Sequence, residues 1–329
     1  MRCKKVLAIA GLLLLFAVSS VLFSLILGFS GLFPALRVTL TETFSVSRGT
    51  QFIVNAFCTP DEIDAVMEQG LYRRELPAGL TLSDFADPAE FTAAGEMEAY
   101  ALRGQSFVGH ALVIPDPTSV ELLITPELGT RGLTLSEFNE RTPLAAGINA
   151  SGYLDNDTLL GEGGNPSGAV ICRGELICDP DEPGTPRNLI GLTREGVLLC
   201  GSWTLDEAQS LGIYNAVSFR PAVVLHGEGL ITSGTGGYGY APRSAIGQRR
   251  DGAILFVVLE GRRLSSIGAT LLDVQEVLLS LGAYTGCLLD GGSCSTLVYN
   301  NARLSRPVDL FGERPVPTAF GVRLSEVRK

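Results

Sequence analysis

Residues 253–296 read AILFVVLEGRRLSSIGATLLDVQEVLLSLGAYTGCLLDGGSCST, and this stretch decides what kind of fold the chain builds. Its opening run, ILFVVLEG, is continuously apolar up to Glu260, as a strand buried on both faces is. Residues 269–283 then carry Leu271, Val274, Leu278 and Leu281 at helical spacing. Thr270 and Asp273 stand where a helix is capped, and Gly282 stands where one ends. A second apolar run follows and stops at Asp290, and every residue after that acid is small: Gly291, Gly292, Ser293, Cys294, Ser295, Thr296. Strand, helix, strand is a βαβ-like order. It delivers one carboxylate to the C-terminal end of a strand, an edge that ligand sites favour.

Outward from this unit the texture is that of a strand-rich domain from about Tyr100 onward, with short apolar runs broken by glycine and proline. SFVGHALVIPDP (106–117) alternates and breaks at Pro115, and SVELLIT (119–125) is its expected partner strand. LTLSEFNER (133–141) reads as a short helix. PLAAGINASGY (143–153) reads as a buried strand entering a turn of small residues, and TLDEAQSLG (204–212) carries a capping box, Thr204 with Glu207. The expected fold is a single α+β domain over residues 100–329, with a mixed, largely antiparallel sheet flanked by a few helices. Residues 30–99 hold a capped helix at 59–69 and a turn-rich segment at 76–91, and read as a stalk or accessory region.

The N-terminus is of another kind. Arg2, Lys4 and Lys5 precede a segment with no charge from Val6 to Leu36. That is long enough for a helix to span a bilayer of roughly 30 Å. Residues 6–29 are therefore expected to be a transmembrane anchor, with residues 1–5 cytoplasmic and the rest outside. A cleaved signal peptide would show a shorter apolar core and a small-residue cleavage site, whereas here the apolar run continues past AVSS (17–20). Beyond the anchor, 22 basic residues face all 35 acidic ones, a net charge of −13. Such a surface argues against a nucleic-acid partner, so an anionic substrate must be met by locally placed arginines. Six cysteines (Cys58, Cys172, Cys178, Cys200, Cys287, Cys294) lie beyond the anchor, an even number that permits disulfides in an oxidising compartment. None forms a CxxC pair, the usual mark of structural zinc. Cys172 and Cys178 flank RGEL, a hairpin turn, where a local bridge is expected.

Five small-residue turns carry polar side chains: Asn149, Arg243, Glu260 with Arg262, Asp290, and Glu313 with Arg314. GGSCST lacks the lysine of a phosphate-binding P-loop and the spacing of GxGxxG, and no GxSxG occurs. The two histidines, His110 and His226, lie in no nucleophile motif. Asp-Gly is also a common hairpin signal, and Cys294 alone reads as a buried thiol or a disulfide partner. What remains is a set of carboxylates and arginines, the chemistry for breaking a glycosidic bond whose leaving group is negatively charged.

Taken together and in order, AAGINASGY, NPSGAVICRGEL, SFRPAVVLHGEGLI, APRSAIGQRRDGAILFVVLEGR and LLDGGSCSTLVYNNARLSRPVDLFGERPVPTAFGV resemble the phosphodiester glycosidase family, over residues 100–325. The family's Asn-Gly-Gly turn falls on Asn149, followed here by Ala150 and Ser151. Its PRTAIG falls on Pro242 to Gly247, with Ser244 for threonine, and its DGR falls on Glu260, Gly261 and Arg262. Its LDGGGSST falls on Leu289, Asp290, Gly291, Gly292, Ser295 and Thr296, with Ser293 and Cys294 as departures, and its ERPV is intact at Glu313 to Val316. The resemblance implies a hydrolase that releases a sugar from a sugar-1-phosphodiester, with bacterial members linked to exopolysaccharide. It implies Asp290, Glu313, Arg314, Arg243 and Asn149 as the catalytic set. Gly291, Gly292, Ser293, Ser295, Thr296, Glu260 and Arg262 would bind substrate. No organic cofactor is implied, and no ligand spacing demands a divalent cation near Asp290. The expected partners are a phosphorylated glycan and, through the N-terminal helix, the cell membrane. The alternative is a non-catalytic surface protein that uses the same cleft to bind or assemble anionic exopolysaccharide.

Overall fold

The computed structural model describes residues 2–46, 48–69, 74–154, 162–306, 308 and 312–324. They form two compact units, Met1–Leu71 with Gly237–Gly239, and Tyr72–Gly236 with Tyr240–Lys329.

The first unit is helical: Arg2–Phe29, Pro34–Ser45, Arg48–Phe57 and Pro60–Gln69. Within the first of these, Ile9–Phe29 is long and apolar enough to cross a membrane, and its Leu12, Leu15, Phe16 and Phe23 side chains are exposed. At its end Phe29 stacks on Phe57, with ring centroids 4.9 Å apart. The expected helix at 59–69 is present and capped as its sequence requires. The Glu62 carboxylate accepts the Thr59 N–H, and Thr59 Oγ1 accepts the Glu62 N–H.

The second unit is built on antiparallel sheets. The largest has seven strands in the order Glu98–Arg103, Val108–Ile114, Ile254–Leu259, Arg243–Arg249, Ala283–Leu289, Ala222–Leu225 and Glu228–Gly229. Ile254–Leu259 and Ala283–Leu289 both pair antiparallel with Arg243–Arg249, one on each side. They therefore run in the same direction, joined by the helix Leu271–Ser280. This is the expected strand–helix–strand crossover, with one more strand laid inside it. The helix buries Leu271, Val274 and Leu278, opens with Thr270 and Asp273 in a reciprocal capping box, and ends before Gly282, whose φ is +84°. A second sheet contains Leu198–Trp203, Arg187–Thr193, Ile213–Ser218, Val170–Cys172 and Glu175–Cys178. A third contains Ala302–Arg303, Leu297–Tyr299, Leu144–Asn149, Thr318–Arg323 and Glu121–Ile124. One apolar core draws on all three, through Leu112 and Phe256, Leu189 and Ile190, and Ile148 and Phe320. The helix–sheet composition is the α+β class expected.

Three expectations change. SVELLIT does not pair with SFVGHALVIPDP; Glu121–Ile124 pairs with Thr318–Arg323 in the third sheet. Between the two segments Asp116 caps a 3-10 turn at Pro117–Ser119, which carries the chain out of the first sheet, and the Arg323–Glu121 ion pair holds it in the third. The vacated neighbour position beside Val108–Ile114 is filled by the fully apolar Ile254–Leu259. Cys172 and Cys178 do lie on a hairpin, but Cys172 faces Glu175 and Cys178 faces Val170. Their thiols are not opposed, and all six cysteines are free. Finally, the turn-rich segment at 76–91 contributes Leu80 and Phe85 to the core of the second unit, so that part of the expected accessory region packs as domain.

Candidate active site

The strand Ala283–Leu289 ends against the third sheet. Asp290 donates its N–H to the Ala150 carbonyl at 3.0 Å, which ties the end of this strand to the residue following Leu144–Asn149. Asn149 itself is fully buried. Its Nδ2 donates to the Asp290 carbonyl at 2.6 Å, while its Oδ1 accepts from Ser244 Oγ at 2.8 Å and from the Thr296 N–H at 3.1 Å. One amide therefore joins three of the sequence motifs. An amide with both ends bonded to protein is a clamp on the Asp290 loop, a role that the motif alone did not reveal.

The loop is pressed onto its neighbour. Gly292 donates its N–H to the Pro242 carbonyl at 2.8 Å and has a φ of +64°, a conformation glycine adopts at no steric cost. A Cβ on Gly291 would stand 2.9 Å from that same Pro242 carbonyl oxygen. The loop then makes a 3-10 turn over Gly292–Cys294, in which Cys294 N–H bonds to Gly291 O and Ser295 N–H to Gly292 O. The amides of Gly292, Cys294, Ser295 and Thr296 are thus already committed within the protein. Ser295 Oγ is buried and makes no hydrogen bond.

Arginines stand around this turn. Arg243 opens the strand beside Ala283–Leu289. Ser244 pairs with Leu289 as the last rung of that ladder, and Arg243 and Asp290 are the residues that adjoin this rung on the two strands. Arg243 is buried and its Nε donates to the Ala269 carbonyl at 3.0 Å. Arg262 is exposed and donates to Ser293 Oγ at 2.9 Å, lying over Gly292 and Ser293.

Cys294 touches the carboxylate directly. Burial pushes its thiol well above the usual range; the adjacent Asp290 carboxylate, by charge and by hydrogen bond, pushes it the same way, opposed by a hydrogen bond with Tyr153 and by the Arg314 charge. These directions define a short chain: Tyr153 O–H donates to Cys294 Sγ, and Cys294 S–H donates to Asp290. Tyr153, at the end of the INASGY turn, was not among the residues singled out. Its tyrosine-after-turn position carried no signal, because only the fold brings it beside Cys294.

Glu313 and Arg314 divide in their surroundings. The Glu313 side chain is 4% exposed and its carboxylate accepts from Ser136 N–H (3.0 Å), Ser136 Oγ (2.7 Å) and Arg303 (2.7 Å). It caps the first turn of the helix Leu135–Arg141, a favoured place for an anion. Val316 pairs with Leu133, and a Cβ on Gly163 (φ +64°) would meet the Pro315 carbonyl oxygen at 2.2 Å. The ERPV segment is thereby fixed on both sides of Arg314, which acts on Cys294 through its charge. Glu260 lies elsewhere. It is 3% exposed and faces a cavity lined by neither Asp290, Arg243, Arg314 nor Cys294. Among the described residues no three His, Cys, Asp or Glu side chains converge as a metal site would require.

Residues 143–323, which carry every one of these motifs, match the phosphodiester glycosidase family. The chain belongs to this family. The fold agrees: the phosphodiester glycosidase domain is similar to the zebrafish N-acetylglucosamine-1-phosphodiester alpha-N-acetylglucosaminidase catalytic domain, a structure auto-inhibited by its pro-peptide, with a TM-score of 0.58 and 19% identity over 69% of this chain and 83% of that one. It is similar also to a putative exported protein of Burkholderia pseudomallei K96243, with a TM-score of 0.51 and 15% identity over 66% and 74% of the two chains. In sequence, 54 residues are 46% identical to an SPbeta prophage-derived uncharacterized protein, YomE, of Bacillus subtilis (strain 168). That match spans 16% of this chain and 8% of the Bacillus protein.

Proposed function

We propose that this phosphodiester glycosidase hydrolyses a sugar-1-phosphodiester in a glycan outside the cytoplasm, with Asp290 as the reacting carboxylate. The reading is carried by the position of Asp290. It is held at a strand end by Asn149 and Ala150, touched by Cys294, and follows the rung that Leu289 makes with Ser244, the neighbour of Arg243. Asp290 either takes the proton of a water that attacks the anomeric carbon, or attacks that carbon itself to form a glycosyl ester that water then hydrolyses. The bond from that carbon to the phosphate oxygen breaks, its electrons stay on the phosphate, and the products are a free sugar and a phosphomonoester. A phosphate leaves as an anion and needs little protonation. Preorganised cations therefore serve it better than a second acid, and Arg243, Arg262 and Arg314 supply them in the geometry that suits an oxyanion. On this reading Glu313, bonded to Ser136 and Arg303, positions Arg314 and does not transfer a proton; Asn149 shapes the loop, and Gly291, Gly292, Ser293, Ser295 and Thr296 give the sugar phosphate room to approach. The N-terminal helix anchors the enzyme in the cell membrane as a single span, with the catalytic unit on the extracytoplasmic side.

The test is release of free sugar from an N-acetylglucosamine-α-1-phosphodiester by the detergent-solubilised chain, with Asp290→Asn beside it. Turnover that disappears in the variant supports the reading, and the anomer first seen by NMR tells base from nucleophile. Glycan binding without turnover would instead favour a surface protein that binds or assembles anionic exopolysaccharide.

A further inference from the structure

Glu260 faces a cavity of about 410 Å3 whose charge is opposite to that of the chain as a whole. Its walls include Arg103, His110, Arg263, Ser265 and Arg306. The Glu260 carboxylate accepts the Arg306 main-chain N–H at 3.0 Å and lies 3.3 Å from Arg263. It balances one of the three guanidiniums. The Arg103 and Arg306 side chains have no ion-pair partner among the described residues. His110 Nδ1 is enclosed and makes no hydrogen bond, standing 3.9 Å from Glu260 Oε1. The cavity therefore holds two uncompensated positive charges and an orphaned polar atom, within a protein of net charge −10. Buried polar atoms normally have partners, and two like charges at the mouth of one cavity favour an anion between them.

From this geometry we infer that the cavity is a binding site for the phosphomonoester group of a sugar phosphate. The surplus of two positive charges matches a phosphate dianion, and paired guanidinium forks match its oxygens bidentately. The volume lies within the range of small-molecule pockets, about 300–1,000 Å3, and leaves room for one sugar ring. The site is separate from the Asp290 cluster, yet linked to it by two consecutive residues. Arg262 reaches Ser293 of the Asp290 loop, while Arg263 reaches Glu260 of the cavity. The class of compound it would take is the class that the proposed reaction releases, and that link rests on the proposed function. The binding itself does not.

The experiment is calorimetric titration of the full detergent-solubilised chain with glucose 6-phosphate, inorganic phosphate and glucuronate. Wild type and Asp290→Asn are both expected to bind glucose 6-phosphate with the same affinity, more tightly than glucuronate. Arg103→Gln with Arg306→Gln, two exposed side chains whose loss leaves the core intact, should weaken it by about tenfold or more while hydrolysis of a minimal phosphodiester continues. Stronger binding of glucuronate would overturn the phosphate assignment. Binding that survives the double substitution, or that vanishes in Asp290→Asn, would place the ligand elsewhere and overturn the site. Turnover with no sugar-phosphate binding would sink this inference alone, and binding with no turnover would sink the proposed reaction alone.

Discussion

Asn149 Nδ2 lies 2.6 Å from the main-chain carbonyl oxygen of Asp290, and the other end of the same amide holds Ser244 and Thr296. Truncating it strands a hydroxyl, an N–H and a carbonyl in a closed interior, each an unmet partner costing about 1–3 kcal/mol. Asn149→Ala is expected to lower the thermal midpoint and to cut turnover together, since the loop that carries Asp290 loses its clamp. A variant with native melting and lost turnover would mean that Asn149 touches substrate instead.

Asp290→Asn and Glu313→Gln should separate chemistry from support. The first is expected to abolish turnover with the melting temperature unchanged. The second removes the charge facing Arg303 and the first turn of helix Leu135–Arg141. It should destabilise by about 1–3 kcal/mol and leave a measurable fraction of kcat. If Glu313→Gln were as inactive as Asp290→Asn while melting like wild type, Glu313 would be the second catalytic carboxylate.

Two glycines act as spacers, at different distances from the chemistry. An added methyl at Gly291 meets a backbone oxygen at 2.9 Å, and one at Gly163 meets another at 2.2 Å. Neither obstacle is a flexible side chain, so main chain must move. Gly291→Ala is expected to displace the Asp290 loop and Gly163→Ala the segment around Arg314. Both should lose most of kcat/KM, and the Gly163 variant should also melt earlier because its φ of +64° strains any other residue. Wild-type kinetics in Gly291→Ala would show that the loop has slack.

The thiols give a pH dependence of definite sign. Burial raises Cys287 and Cys294 well above the ordinary value of 9.0, and the neighbouring Cys200 adds to the effect at Cys287 and Asp290 to that at Cys294. A raised folded-state pKa means that the unfolded chain loses these protons first. The associated stability is complete below about pH 9 and declines above it, at up to about 1.4 kcal/mol per pH unit for each group. Melting temperatures followed from pH 7 to 11 should fall beyond pH 9, and less steeply in Cys294→Ser. That variant should also keep its turnover, because a hydroxyl can still accept from Tyr153 and donate to Asp290; Cys294→Ala, which can do neither, should lose part of it.

The parts legible in the sequence were those fixed by neighbours along the chain. Leu271, Val274 and Leu278 define their helix by spacing alone, Thr270 and Asp273 cap it within one turn, and Asp290 announces a strand end by what surrounds it. The parts that were not legible depend on contacts across long stretches of chain. Ser136 meets Glu313 across a sequence separation of 177, and no local pattern distinguishes a helix-capping glutamate from a catalytic one. SVELLIT has the composition of a hairpin partner, and only the later arrival of Thr318–Arg323 decides where it pairs. Tyr153 and Cys294 read as unrelated small-turn residues until two sheets bring them to one carboxylate. Glu260 matched a family motif, yet its side chain turns toward Arg263 and the Arg306 main chain, a direction that strand alternation does not encode one residue past a strand's end.

Arg243 and Asp290 adjoin the rung that Ser244 and Leu289 make at the end of their ladder. Their separation is consequently a property of two adjoining strands and not of the segments that extend beyond them. Arg262 and Arg314 ride instead on segments beyond those strands, so a change in the length of either segment would move its own arginine and leave Arg243 and Asp290 where the ladder sets them.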